Sequence, residues 1–196
     1  MSREAHIERA TSETSIILDL TLDGGGESTI ITDIGFFEHM LTQIARHGFL
    51  SLNLRMAGDL HIDCHHTIED TGIALGMAFA SALGDKSRIR RYGHVILPMD
   101  ETLVLCAIDF SGRPYLTFDV KFTCEKIGGM ATEMVEEFFR AFCVHSRCAL
   151  HFKLLAGQNN HHIAEGVFKA FGKVIDQAVT LDPRVNGVLS SKGHLD

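Results

Sequence analysis

The word His-His-x-x-Glu occurs twice, at His65–Glu69 and again at His161–Glu165, 96 residues later, and the patterns leading up to the two copies run in the same order. In the first half, residues 13–22 (ETSIILDLTL) are rich in β-branched and aliphatic types and end at Asp23-Gly24-Gly25-Gly26, and a second strand-like run covers 28–32. The turn residues between them predict a hairpin. Apolar residues at 36, 37, 40, 41 and 44 have helical spacing, and 49–56 alternates as a strand does. A helix capped by Asp63 follows, carrying the first copy of the word in its opening turns and running to Gly84-Asp85.

The second half repeats this sequence of elements. Glu101-Thr102 opens an apolar strand as Glu13-Thr14 opens the first; a strand at 115–122, a helix over about 131–145, a strand at 149–155 and a helix from Asn160 to about Val179 complete it. The reading is an α+β chain of two duplicated strand-strand-helix-strand-helix halves, with helices layered on one face of the sheets. One domain is expected over 1–196, with halves at about 9–92 and 93–180 and a C-terminal tail at 181–196.

On a helix the first His and the Glu of each word share a face, and the second His points about 100° away. Each copy can therefore offer two ligands to one cation and a third to a neighbouring one. A lone His is more often a hydrogen-bonded structural residue, but adjacent histidines at matched helix starts in both halves have no packing rationale. The count gives His65, His66, Glu69, His161, His162 and Glu165, with a further donor expected per metal. His39, on the preceding helix, is the candidate in the first half, and Glu136 or Glu137 in the second. Mixed imidazole and carboxylate ligands suit manganese, iron, zinc, cobalt or nickel.

Composition narrows the function classes. The 196 residues are 45% hydrophobic and 22% charged, as in folded globular chains. With 25 acidic residues against 18 basic ones and a formal charge of −7, the chain is a poor nucleic-acid ligand. The five cysteines form no C-x-x-C pair, which argues for reduced thiols, and neither a secretory leader nor an apolar run of about 18 residues is present. A cytoplasmic protein that contacts no membrane is expected.

Longer stretches carry a resemblance. Phe36-Phe37-Glu38-His39-Met40-Leu41, Gly58 to Asp70, Pro98-Met99-Asp100-Glu101 and Gly157 to Gly172 are similar to imidazoleglycerol-phosphate dehydratases, lyases of histidine biosynthesis, in a match from about Arg9 to Gly193. The resemblance implies a fold of the ribosomal protein S5 domain 2 type, two manganese ions per active site, and a homo-24-mer with sites at subunit interfaces. It implies metal ligands at His39, His65, His66, Glu69, His161, His162 and Glu165. Many relatives have His at the position of Glu137; since Glu also ligates, Glu137 is kept in the set.

The same resemblance implies Glu13 as acid/base, His39 and His47 as substrate-contacting, and Arg91, Arg113, Lys169, Ser191 and Lys192 as the pocket for a small phosphate-ester substrate, the last two in the C-terminal tail. A cation cluster in an acidic protein is a local exception that a phosphate dianion exploits. The expected reaction is dehydration of imidazole glycerol phosphate to imidazoleacetol phosphate, with the substrate ring held as an imidazolate between the two ions. A metal-storage protein and a two-metal phosphoesterase are the rival readings. Neither needs Arg91, Arg113, Lys169 and Ser191 beside a ring-binding metal pair.

Overall fold

The computed structural model describes residues 3–195. The first half forms β1 (Glu4–Ala10), β2 (Thr14–Thr21), β3 (Ser28–Ile31), α1 (Gly35–Gly48), β4 (Ser51–Gly58) and α2 (His65–Leu83). The second forms β5 (Tyr92–Met99), β6 (Thr102–Asp109), β7 (Tyr115–Asp119), a small hairpin of β8 (Lys126–Ile127) and β9 (Met130–Ala131), then α3 (Met134–Ser146), β10 (Ala149–Ala156) and α4 (Asn160–Val179). The two four-stranded sheets have the orders β1-β2-β4-β3 and β5-β6-β10-β7, and in each the last strand pairs in parallel with its neighbour. Setting the small hairpin aside, the halves correspond element for element.

Two expectations need correction. The runs at 13–22 and 28–32 are not a hairpin: β2 is bonded on one edge to β1 and on the other to β4, so β3 finds its place on the far side of β4. Each half also begins one strand earlier than its sequence pattern suggested. β1 (EAHIERA) and β5 (YGHVILPM) are edge strands with largely exposed outer faces, and neither shows the apolar alternation of a half-buried strand.

The helices lie on the inner face of each sheet and pack against those of the other half, α2 on α3 and α1 on α4. Inward positions of β2 (Thr14, Ile16, Leu18, Leu20) are buried and the alternate ones exposed, so one face of the sheet meets the helices. Aromatic rings join the halves: Phe37 meets Phe138 edge-on with centroids 5.5 Å apart, and Phe79 meets Phe142 at 5.3 Å. The core is continuous across both halves.

The caps repeat as well. α1 ends at Phe49 (φ 53°) and α3 at Arg147 (φ 56°), both left-handed, and in each case the next residue donates back to the helix, Leu50 to Ala45 and Cys148 to Cys143. Aligning these caps places Glu137 where the first half has His39, and His145 where it has His47.

Glycines set the spacing between helices. A Cβ on Gly72 would lie 2.6 Å from the Phe138 carbonyl oxygen, and one on Gly76 2.8 Å from the Phe142 oxygen and the His145 Cβ. The α1–α4 crossing repeats this contact, with Gly172 against Ile44 and the His47 Cβ. Gly72→Ala should therefore destabilise the protein by about 1–3 kcal/mol through overpacking against backbone, outweighing the roughly 1 kcal/mol that alanine gains in helix propensity. Denaturant unfolding checks this; an unchanged or raised midpoint would show that the crossing has slack.

Candidate metal centre and substrate site

The start of α4 is built by Asn159, whose side-chain oxygen accepts the backbone N–H groups of His161 at 2.9 Å and His162 at 3.4 Å. This cap fixes both histidines in the first turn. His161 and Glu165 then share a face, with Nε2 3.3 Å from Oε2. The third member comes from the other half: His39 on α1 places its Nε2 3.7 Å from the same Glu165 oxygen. One ligand atom from each of the three lies within 4.8 Å of the others.

Glu165 is buried, and its second oxygen receives Lys169 Nζ at 2.8 Å. Burial pushes its carboxyl pKa up, but Lys169, His39 and His161 outweigh that, so it sits below the usual range and stays ionised. Two imidazole nitrogens and a carboxylate oxygen form a donor set that suits a divalent transition ion. His39 thus joins the second copy of the word, whereas the sequence had suggested the first.

In the first copy, the Asp63 carboxylate accepts the His65 N–H at 2.7 Å although the helix itself begins one residue later than expected. His65 Nε2 lies 3.6 Å from Glu69 Oε2. Glu137 lies on α3, the helix packed on α2, with one oxygen 3.6 Å from Arg140 Nε. Among the described residues, His39, His161 and Glu165 are the group of three donors that is already gathered.

The second histidine of each word turns aside. The ring planes of His65 and His66 meet at 80° and those of His161 and His162 at 89°. His66 Nδ1 is 3.0 Å from Asp59, and His162 Nδ1 is 2.8 Å from Glu101. A carboxylate only accepts, so Nδ1 carries the proton and Nε2 is left with its lone pair for a metal. The hydrogen bond to Asp59 raises the His66 pKa, that to Glu101 raises the His162 pKa, and Glu101 itself is pulled down to about 2 by His162 and the Asn159 N–H. Sequence reasoning gave Asp59 and Glu101 no role. The repeat of Glu13-Thr14 as Glu101-Thr102 was the available signal.

Glu13 is exposed at the start of β2, its Oε2 3.8 Å from His66 Nε2. His47 is half-buried on α1; burial, then Lys169 and Lys173, lower its pKa and keep it neutral. The phosphate residues divide into two groups. Lys169 lies beside Glu165, near Met99 at one end of β5. Arg91 lies at the other end, about 26 Å away at strand rise, where it lines a cavity of about 590 Å³ together with Ser191. Lys192 follows directly, and Arg113 is exposed in the turn after β6, at this same end. Arg91 is buried, with Nε and Nη2 donating to Asp109 at 2.7 and 3.0 Å and Nη1 to the Leu189 carbonyl at 2.8 Å. Two of its N–H groups remain for a ligand.

Residues 32–175 match the family described as imidazoleglycerol-phosphate dehydratase. A protein of that name from Lachnoclostridium phytofermentans is 55% identical over 196 residues, covering all of both chains, and one from Acetivibrio thermocellus is 53% identical over 195 residues, again covering both in full. The crystal structure of the Staphylococcus aureus enzyme superposes with a TM-score of 0.83 at 39% identity, covering 91% of this chain and 99% of that one. The structure of the Pyrococcus furiosus enzyme in complex with (S)-C348 gives 0.83 at 34% identity, covering 96% of this chain and all of that one. The chain belongs to the imidazoleglycerol-phosphate dehydratase family, hydro-lyases that dehydrate imidazole glycerol phosphate in histidine biosynthesis.

Proposed function

We propose that this dehydration runs on two manganese ions per site, in a cytoplasmic homo-24-mer whose sites form between copies. The observation that carries the reading is the division of the site residues within one chain. The gathered metal donors and Lys169 lie at one end of β5, and Arg91 and Ser191 lie at the other. A substrate a few ångströms long spans both sets only if a second copy supplies one of them. Among the described residues, no helix is long and apolar enough to cross a membrane. Family membership selects the lyase over the storage and phosphoesterase readings.

His39, His161 and Glu165 would hold one ion and His65, Glu69 and Glu137 the other, with the Nε2 atoms of His66 and His162 completing the shells of adjoining copies. Bound there, the ions supply Lewis-acid stabilisation of negative charge on the substrate's imidazole. The chain's own residues do the rest. Asp59 and Glu101 hold two imidazoles in the tautomer that leaves Nε2 as a donor of electrons. Glu13, exposed beside His66, takes the proton from the carbon next to the one that loses its hydroxyl, and the resulting enol relaxes to the ketone. The free N–H groups of Arg91, with Arg113, Ser191 and Lys192, grip the phosphate and so fix which carbon faces Glu13.

Glu13→Gln should keep metal and substrate binding while turnover falls by about 10²–10⁴-fold, read as ketone formation by the manganese-loaded enzyme; full activity would remove Glu13 from the reaction. Glu165→Gln should lose about half of the bound manganese by elemental analysis, since one of two ions loses its only carboxylate; full metal content would show that this group is not a ligand set. Arg91→Ala and Glu13→Gln are each expected to be inactive alone. Dissociated and reassembled together in equal amounts, they should recover about a quarter of wild-type activity, because random mixing of copies restores that share of interfacial sites. No recovery would place the whole site within one chain.

A further inference from the structure

We propose that Asp70, through Thr14 and with Arg9, is a positioning residue for Glu13. The inference rests on the reading of Glu13 as the proton-moving group. Asp70 follows the metal-word glutamate Glu69 on α2 and is 7% exposed. Its Oδ2 accepts hydrogen bonds from both the Thr14 hydroxyl and the Arg9 guanidinium. Thr14, 4% exposed, is bonded in turn to Thr11: the hydroxyls are 3.2 Å apart, and the Thr11 N–H donates to the Thr14 carbonyl at 2.9 Å. The Thr11 hydroxyl also accepts the backbone N–H groups of Glu13 at 3.1 Å and Thr14 at 3.0 Å. The turn between β1 and β2 is thereby closed on itself and tied to the metal-word helix. Glu13 projects from it, and among the described residues its carboxylate accepts no hydrogen bond.

The duplicate shows what the anchor changes. Glu101-Thr102 is the counterpart of Glu13-Thr14, and the position matching Asp70, one residue after Glu165, is Gly166, where a Cβ would lie 3.3 Å from the Thr102 methyl. Without that carboxylate, the Thr102 hydroxyl turns to its own neighbour, Glu101 Oε1, at 3.3 Å. Glu101 is further occupied by the Asn159 N–H at 2.9 Å and His162 at 2.8 Å. One Glu-Thr turn is therefore a clamp for a histidine Nδ1, and the other presents a carboxylate that accepts no hydrogen bond among the described residues and has His66 Nε2 3.8 Å away. In the first half Asp59 takes the histidine Nδ1 that Glu101 takes in the second, and Asp70 and Arg9 fix the turn that bears Glu13. A part-buried ion pair contributes little net stability; what this one does is hold one turn in one orientation.

The test is steady-state kinetics of manganese-loaded, assembled enzyme carrying Thr14→Val, Thr14→Ser, Glu13→Gln and the Glu13→Gln/Thr14→Val double change. Thr14→Val keeps the side-chain volume and removes only the hydroxyl. It should lower kcat at least about tenfold while KM stays within about twofold and manganese content is unchanged, and Thr14→Ser should restore most of the loss. The double variant should be no slower than Glu13→Gln alone, because Thr14 acts through Glu13. Wild-type kcat in Thr14→Val, no rescue by Thr14→Ser, or losses that multiply in the double variant would each overturn the positioning role while leaving Glu13 in place. Full activity in Glu13→Gln would instead withdraw the reading of Glu13 and this proposal with it.

Discussion

The close approach of two helix pairs governs everything at this site. His39 and the Glu165 carboxylate belong to different halves, and they meet because α1 and α4 cross with glycine on both sides: a Cβ on Gly48 would lie 3.3 Å from the Gly172 carbonyl oxygen, and one on Gly172 3.1 Å from Gly48 N. Side chains at that crossing would push the axes apart by more than the reach of an imidazole tolerates. Gly72 and Gly76 do the same for α2 and α3. Thirteen phenylalanines in the chain, many of them fully buried and ring-packed around these crossings, hold the close contact rigid.

How much was legible in the sequence depended on whether a residue's neighbours are local. The helix read from Asn160 to about Val179 matches α4, since the signals that set the ends of a helix are local. The relation of His161 to Glu165, and the outward turn of His162, follow from helix geometry alone. The partner of His39 did not, since sequence order puts it beside the first His-His-x-x-Glu while the cross-half packing puts it beside the second. The hairpin reading of β2 and β3 failed for a related reason: a glycine turn shows that the chain reverses, not which strand claims the free edge. Asp59, Glu101 and Asp70 were passed over because a carboxylate's role is set by what it faces, and that became visible only through the histidine and threonine contacts.

The halves have diverged most in charge. Glu165 is followed at helical spacing by Lys169 and Lys173, and the matching positions after Glu69 are Ile73 and Met77. His47 therefore has its pKa lowered first by burial and then by the two ammonium groups, while its counterpart His145 bonds to the Ala141 carbonyl beside an apolar helix face. Glu137 in place of a second His39 adds a negative charge to the first copy's surroundings. The same backbone thus carries two electrostatically different environments, and cation-rich α4 is the side suited to an anionic substrate.

The interlocking of donors across the halves also gives the covalent link between them a role. The helix pairs that pack are α1 with α4 and α2 with α3, so the gathered trio of His39, His161 and Glu165 draws on both repeats, and an isolated repeat would leave these side chains apart. A lone repeat would regain that meeting only by pairing with a second copy, so the covalent link makes permanent a contact that two separate polypeptides would have to find by diffusion.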